Sequence, residues 1–532
     1  MLIDANELPD GHAVSGDAVV IGGGPAGIAV ARRLAQGGHR VVLLESGGTD
    51  FEPDVQHLYA GRSVGLPYVD LEVTRLRYLG GSTNHWGNQV ADFEPIDFAR
   101  RDWVPHSGWP VTRAELQPYY EQAFSFLDLG AYDLDRPERW SGPGAPFRLP
   151  DLAGRRVGSK LFRLRTPPLQ AGDHYRRELS GSAAIALYLH ASVTSLNLDP
   201  AGGAIRDVSV ATLGGRRITA TGRHYVLACG GLENPRLLLL SDRVQPGGIG
   251  NGRDLVGRFF MDHLRIESGV LLPSPAAAFQ AYSDAFSVPV DRAACLYLGP
   301  QAQREQQTTV FRLKFQPRLR GETSLGYRGL RGAVEDVRGG RPLQALATPL
   351  ARMIVDLEGM ATGLYGWAAQ ARELACVNVV EQAPNPDSRV RLGNDVDAFG
   401  LRRIELDWRL SALEKATLRR AQLVIGAELA AAGLGRMRLA PADDDELWSG
   451  IAYGTTTSPA SAFEVGHHHT GTTRMADDPA AGVVDPHCRV FGVDNLFVAG
   501  SSVFPTLGSA NPTLTIVAFA LRLADRILAL PA

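Results

Sequence analysis

The residues best equipped for chemistry lie at the two ends of the chain. Near the C-terminus, Gly466 precedes His467-His468-His469-Thr470-Gly471-Thr472-Thr473-Arg474-Met475. Asn495-Leu496-Phe497-Val498-Ala499-Gly500 follows, and then Gly508-Ser509-Ala510-Asn511-Pro512-Thr513-Leu514. Near the N-terminus stands Gly22-x-Gly24-x-x-Gly27. That spacing lets a backbone turn tightly and approach a pyrophosphate, whose charge then sits on a helix N-terminus. An imidazole, with an ordinary pKa of about 6.5, suits proton abstraction at neutral pH. One end would hold a nucleotide cofactor, and the other would bring a base to it.

The elements that must position these residues are legible around them. Residues 17–21 read as a buried parallel strand, 25–35 as the helix after it with Gly37-Gly38 closing it, and 40–44 as a second strand ending in Glu45. An acid about 20 residues beyond the third glycine accepts the ribose hydroxyls of an adenosine, which disfavours NADP but does not separate NAD from FAD. Residues 186–198, 205–212 and 216–220 read as short strands, and 224–228 as an apolar strand running into a Gly turn. There Asn234 and Pro235 are expected to start the helix carrying Leu237 to Leu240. Further on, 388–392 and 403–408 read as strands, while Thr112 with Glu115 and Ser411 with Glu414 form capping boxes opening helices to about Leu127 and Ala432.

A strand that returns to the nucleotide sheet so late implies a discontinuous domain. The chain reads as α/β, α+β overall. A Rossmann-like nucleotide-binding domain spans 14–265 and 465–532, with insertions in 51–185 that cover the cofactor and substrate site. A second, sheet-and-helix substrate-binding domain spans 266–464.

Composition narrows the partners. A chain of 532 residues, 45% hydrophobic, has ample core for two or three domains. A net charge of -3 provides no basic field for nucleic acid or an anionic membrane. Cys229, Cys295, Cys376 and Cys488 are far apart and form no CxxC pair, which argues against a disulfide framework, a zinc ribbon or covalent haem. With no signal-like segment in 1–16 and no apolar run of membrane-spanning length, the expected location is the cytoplasm.

The two ends, together with Leu79-Gly80-Gly81-Ser82-Thr83-Asn84-His85-Trp86-Gly87, Gly108-Trp109-Pro110, Tyr119-Tyr120, Cys229-Gly230-Gly231-Leu232-Glu233-Asn234-Pro235-Arg236 and Gly257-Arg258-Phe259-Phe260-Met261-Asp262-His263, resemble the flavin-dependent glucose-methanol-choline (GMC) oxidoreductases. The likeness is strongest to their bacterial sugar-oxidising, pyranose-oxidase-like branch. It implies FAD rather than NAD, and oxidation of an alcohol to a carbonyl by hydride transfer to flavin N5. Hydride leaves a carbinol carbon readily only if the hydroxyl proton departs nearly in concert.

The resemblance implies that His468, in its His-x-x-Gly-Thr-x-Arg-Met block, is that base, with His469 as the alternative. Asn511 takes the place of the second active-site residue, which holds the substrate oxygen but cannot accept a proton; its side chain could also cap the helix from Thr513 to Leu528, whose N-terminal amides would stabilise reduced anionic flavin. On an extended segment His467 and His469 would face away from His468 and be structural, and no carboxylate or fourth ligand at useful spacing supports a metal.

Cofactor contacts are thereby assigned to Gly22, Gly24, Pro25, Ala26, Gly27, Glu45 and Ser46 at the nucleotide end, and to Gly80, Gly81, Ser82, Asn84, His85, Trp86 and Gly87 in the second block. Val193, Ala228, Gly230 and Asn234 follow, then Gly500, Asn511, Pro512 and Thr513. His85 stands where pyranose-oxidase-like members attach FAD covalently; the alternative is packing against the flavin's dimethylbenzene edge. Gly500 replaces the Asp found in many members, which leaves that contact to backbone amides. The function implied is oxidation of a sugar or glycoside CH–OH, with oxygen, a quinone or a separate redox protein as acceptor. Two alternatives are oxidation of a non-sugar or primary alcohol in natural-product tailoring, and a non-redox lyase or nucleotide-binding module on the same fold.

Overall fold

The computed structural model describes residues 1–135, 156–274, 291–317, 347–357, 373–439 and 463–531, with a few isolated positions between them. Its first sheet contains six parallel strands: β1 (Leu2–Asp4), β2 (Ala18–Ile21), β3 (Val41–Leu44), β4 (Ile185–Leu189), β5 (His224–Leu227) and β6 (Leu496–Val498). Their spatial order is β1-β4-β3-β2-β5-β6. All four residues of β2 and of β3 are buried, as Val, Ile and Leu runs must be when a parallel sheet is covered on both faces. Between them runs α1 (Pro25–Gln36), with Pro25 in its first turn and Gly37 ending it.

The expected β-α-β unit is therefore present, and its turn depends on glycine. Gly22 has φ +107°. A Cβ on Gly27 would stand 1.8 Å from the carbonyl oxygen of Gly22, so only a bare Cα lets the helix lie this close to the turn. The edge strand β1, paired with Leu187 to Leu189, has no sequence signal of its own.

Helix α2 (Arg113–Phe126) opens with the Thr112–Glu115 capping box. Helix α3 (Gly230–Leu240) corrects the sequence reading, because it begins at Gly230 and holds Asn234 and Pro235 inside it. Proline removes a backbone donor and would orphan the carbonyl of Gly231. The hydroxyl of Thr472 donates to that carbonyl at 2.6 Å. Asn234 accepts from the backbone N–H of Cys229 and donates to Ser502 Oγ and to the carbonyl of Ala499. Its amide thus ties α3 to the chain that leaves β6, which is tertiary work and not capping.

A second, antiparallel sheet contains Leu264–Pro273, Leu374–Val380, Phe311–Pro317, Arg292–Leu298, Gly435–Arg438 and Val157–Arg163, with Phe463–Val465 added beside Leu264–Pro273. Val157–Arg163 comes from before the 266–464 stretch. Helix α4 (Ala412–Ala431) starts at the Ser411–Glu414 capping box and packs on this sheet. The strand 402–407 pairs with 389–396 on one side and with Gly61–Ser63 on the other in a separate small sheet. Helix α5 (Thr513–Leu528) packs against both α1 and α2.

The buried apolar residues form two clusters, one around the parallel sheet with α1, α2 and α5, the other around the antiparallel sheet and Trp408. Among the described residues no helix is long and apolar enough to cross a membrane. No disulfide joins any of the four cysteines.

One pairing positions the chemistry. Leu264 lies opposite Val465 in antiparallel register, so the segments preceding one strand and following the other leave the sheet side by side. Gly466 N–H donates to the carbonyl of His263, and Met261 and Thr470 exchange backbone bonds at 3.1 Å. The stretch 466–470 is clamped to 261–263 at both ends, with His468 between the clamps.

Candidate active site

A cavity of about 490 Å³ runs from the β2–α1 turn to the N-terminus of α5, within the size range of ligand pockets. Gly24, Pro25 and Ala26 bring the N-terminus of α1 to its wall, and Pro512 and Thr513 bring that of α5. No side chain caps either helix, so first-turn amides are left for whatever occupies the cavity. A Cβ at Gly24, Gly87, Gly230 or Gly500 would meet no protein atom within 4 Å, and all four glycines line this cavity. The space above them is reserved for something other than protein.

At the nucleotide end, Glu45 is buried on the wall, accepting N–H bonds from Gly23 at 2.7 Å and Gly47 at 3.0 Å. Burial pushes its carboxyl pKa up despite those bonds. Each oxygen retains a lone pair for a hydroxyl donor. Ser46, Val193 and Ala228 line the same end, as do Gly22 and Gly230.

Sequence reasoning missed the arginines here. Arg77 donates to Ser46 Oγ at 2.7 Å, while Arg75, Arg77 and Arg236 surround Glu233. Burial opposes ionisation of Glu233, but Arg236, Arg75 and Arg77 hold its pKa down at about 2. Tyr59 lies under the guanidinium of Arg75 at 4.0 Å. The available signal was an Arg-x-Arg immediately ahead of Leu79-Gly80-Gly81.

Most of the expected contacts reach the wall: Gly81, Ser82, His85, Trp86 and Gly87 do, with Gly500, Asn511, Pro512 and Thr513. Gly27, Gly80, Asn84 and Asn234 stand behind it. Gly27 packs on Gly22, and Gly80, at φ +97°, donates to the carbonyl of Gly23. Asn84 donates to the carbonyl of Leu79 at 3.0 Å, and Asn234 braces α3. These four shape the wall and do not touch the cavity.

At the opposite end His467, His468 and His469 all line the cavity. The expected alternation fails because His467 sits at φ +56°, outside extended geometry. His469 is buried against Tyr68 and Phe260. Burial, then His263, Arg312 and His467, hold the His468 imidazole well below its usual pKa. Its ring is therefore neutral at neutral pH, with one N–H and one nitrogen able to accept a proton. Its backbone N–H donates to Asp262 Oδ1 at 2.8 Å, and Asp262 also accepts from Tyr68. His468 Nδ1 lies 2.9 Å from His263 Nδ1, and His263 Nε2 lies 3.0 Å from the carbonyl of Gly508.

Asn511 does not cap α5. Its amide donates to the carbonyl of Gln89 at 3.0 Å, and its Oδ1 is 3.5 Å from a guanidinium nitrogen of Arg312. One amide hydrogen remains. Arg312 is buried with its guanidinium over Phe162. Much of 266–464, read from the sequence as the substrate-binding domain, lies outside the described residues.

The fit is to a dinucleotide: a β-α-β turn, an acid at the end of β3, and two open helix N-termini on one cavity, with a neutral imidazole at its far end. A cavity of this make belongs to the class of FAD-dependent oxidoreductases. The GMC oxidoreductase family model matches residues 384–520, and the pyridine nucleotide-disulphide oxidoreductase model matches 16–58. The chain is 25% identical to the fructose dehydrogenase large subunit of Gluconobacter japonicus over 97% of its own length and 98% of that protein. It is 27% identical to the 6'''-hydroxyparomomycin C oxidase of Streptomyces lividus over 95% and 90% of the two chains. The crystal structure of pyridoxine 4-oxidase from Mesorbium loti has the same fold, with a TM-score of 0.59 at 20% identity, covering 96% of this chain and 98% of that one. Residues 384–520 thus carry the GMC oxidoreductase match, and full-length relatives at 25 to 27% identity include sugar and glycoside oxidases and dehydrogenases. FAD is its cofactor.

Proposed function

We propose that this protein oxidises a CH–OH group of a sugar or glycoside to a carbonyl. The observation that carries the reading is the presence of neutral His468 and the Asn511 carboxamide on the wall of one FAD-fitting cavity. FAD, when bound, supplies the hydride acceptor at N5. The α1 amides and the bare glycines would receive its pyrophosphate, Glu45 its ribose, and the α5 amides its pyrimidine edge.

The protein's own chemistry is proton transfer and alignment. Asn511 donates its remaining amide hydrogen to the substrate oxygen, and His468 takes the hydroxyl proton as the C–H bond breaks. Fructose and 6'''-hydroxyparomomycin C, in the names of two relatives, support a sugar or glycoside as substrate. Four cysteines spread far apart along the sequence, with no CxxC pair, support a reducing, cytosolic location.

Anaerobic addition of a panel of sugars and glycosides to the yellow holoenzyme should bleach the flavin with at least one of them. Oxygen uptake and dye reduction, run in parallel, then separate an oxidase from a dehydrogenase. A holoenzyme that no polyol bleaches would overturn the reading.

We further propose that His85, exposed on the cavity wall, bonds FAD covalently. Denatured, precipitated enzyme should then stay yellow, and His85→Ala should release all its flavin to the supernatant. Complete release from the parent protein refutes the bond.

A further inference from the structure

Two contacts of His263 dictate where its hydrogen lies. The carbonyl of Gly508 has only lone pairs to offer, so the Nε2 that faces it at 3.0 Å carries the N–H. Burial and the Arg312 guanidinium push the His263 pKa down to about 3. The ring is therefore neutral, has one N–H, and keeps a bare Nδ1. At 2.9 Å from that bare nitrogen stands His468 Nδ1, with the two rings perpendicular at 89°. Two lone pairs cannot face each other at this distance, so His468 Nδ1 holds a hydrogen and donates it. The lone pair of neutral His468 is then on Nε2.

We propose that His263 is a positioning residue for the oxidation, accepting a hydrogen bond at Nδ1 and so holding His468 in the Nδ1–H tautomer with Nε2 free to take the substrate proton. This rests on the reading of His468 as the base. In the step itself the substrate O–H bond breaks, and its proton bonds to Nε2 of His468. The carbinol hydride leaves for the flavin, and the carbon–oxygen double bond forms. The imidazolium so made still donates from Nδ1 to His263. That bond becomes charge-assisted and stronger as positive charge develops.

The scaffold behind His263 is built to hold this geometry. Gly508 N–H donates to Glu381 Oε1 at 3.0 Å, and Glu381 is paired with Arg101 at 2.8 Å, both side chains buried. The neighbouring Asp262 N–H donates to Gln382, and Gly466 N–H donates to the His263 carbonyl. Around the two rings stand Asp262 with Tyr68 on one side, Arg312 on the strand 311–317, and His467 and His469 along the chain. None of these competes for His263 Nδ1.

Two isosteres separate this role from structural support. Asn sets a side-chain oxygen near the Nδ1 position and can accept from His468, but abandons the Gly508 carbonyl. Gln reaches the Nε2 position and keeps the Gly508 bond, but gives His468 no acceptor. With flavin content per protein as the check on folding, H263N should reduce flavin at close to the parent rate. H263Q should be roughly 10- to 100-fold slower, with the loss in kcat and not in KM. In the oxidised holoenzyme labelled with 15N-histidine, the His468 signal, assigned by its loss in H468A, should show its hydrogen on Nδ1.

H263Q as fast as H263N, or a hydrogen on Nε2 of His468, would overturn the role of His263. If H468A itself reduces flavin at the parent rate, it is the base assignment that fails. The two failures are therefore distinguishable.

Discussion

Replacing His468 with alanine lowers the rate of flavin reduction by roughly 100- to 10,000-fold, the usual cost of losing a general base, while FAD stays bound. The second half follows from geometry. The glycines and helix termini that fit the cofactor lie on the β2–α1 turn, at Gly87, on α3, at Gly500 after β6 and on α5, and His468 belongs to none of these segments. Anaerobic stopped-flow reduction at saturating substrate, with flavin content measured on the same sample, reads both halves.

The pH dependence has a definite sign. Burial and the surrounding His263, Arg312 and His467 favour the neutral ring and hold the His468 pKa well below 6.5. The parent rate should therefore be flat through the neutral range, falling only once the pH drops well below 6.5 and the ring is protonated. An acid limb at 6.5 or above would show that another group is the base, and an unchanged rate in H468A would transfer that role to His469.

The second large effect separates two glycines three residues apart. Gly24 has φ -77°, ordinary for any residue, and a Cβ there meets no protein atom. Gly24→Val should fold, because the added side chain enters only the cavity at the end of α1. It should emerge colourless, with FAD binding weaker by about 1000-fold, or about 4 kcal/mol. Gly27→Val places its Cβ 1.8 Å from the Gly22 carbonyl, so the strand, the turn and the helix cannot all remain, and the fold itself should fail. Far-UV circular dichroism with flavin absorbance distinguishes a folded, empty protein from an unfolded one. A yellow Gly24→Val would show that the cofactor does not approach α1.

How much of this was legible depends on the range of the interactions involved. The β2–α1–β3 unit and both capping boxes could be read because each is encoded within about a dozen neighbouring residues by hydrophobic period and cap chemistry. Asn234 and Pro235 were misread for the same reason. Locally they look like a helix start, but the carbonyl that Pro235 orphans is satisfied by Thr472, far along the chain. Strand β1 offers three residues and no period, so only its partner Ile185–Leu189 makes it a strand. Arg75 and Arg77 lie on an irregular segment, where spacing says nothing about what a side chain will reach.

The extended-segment rule for His467 to His469 also yielded to tertiary structure. A left-handed residue at His467, held between backbone clamps on 261–263, puts all three histidines on the cavity. The sequence by itself determined the nucleotide fold, because glycines and alternating strand and helix are short-range requirements of a pyrophosphate turn. It also supplied His468 and Asn511, through a resemblance carried by motif. Only the tertiary structure decided which ring nitrogen of His468 is free. That depends on a histidine two hundred residues earlier and on the carbonyl of Gly508, brought together by strands of opposite direction, and no local pattern encodes a meeting of three distant segments.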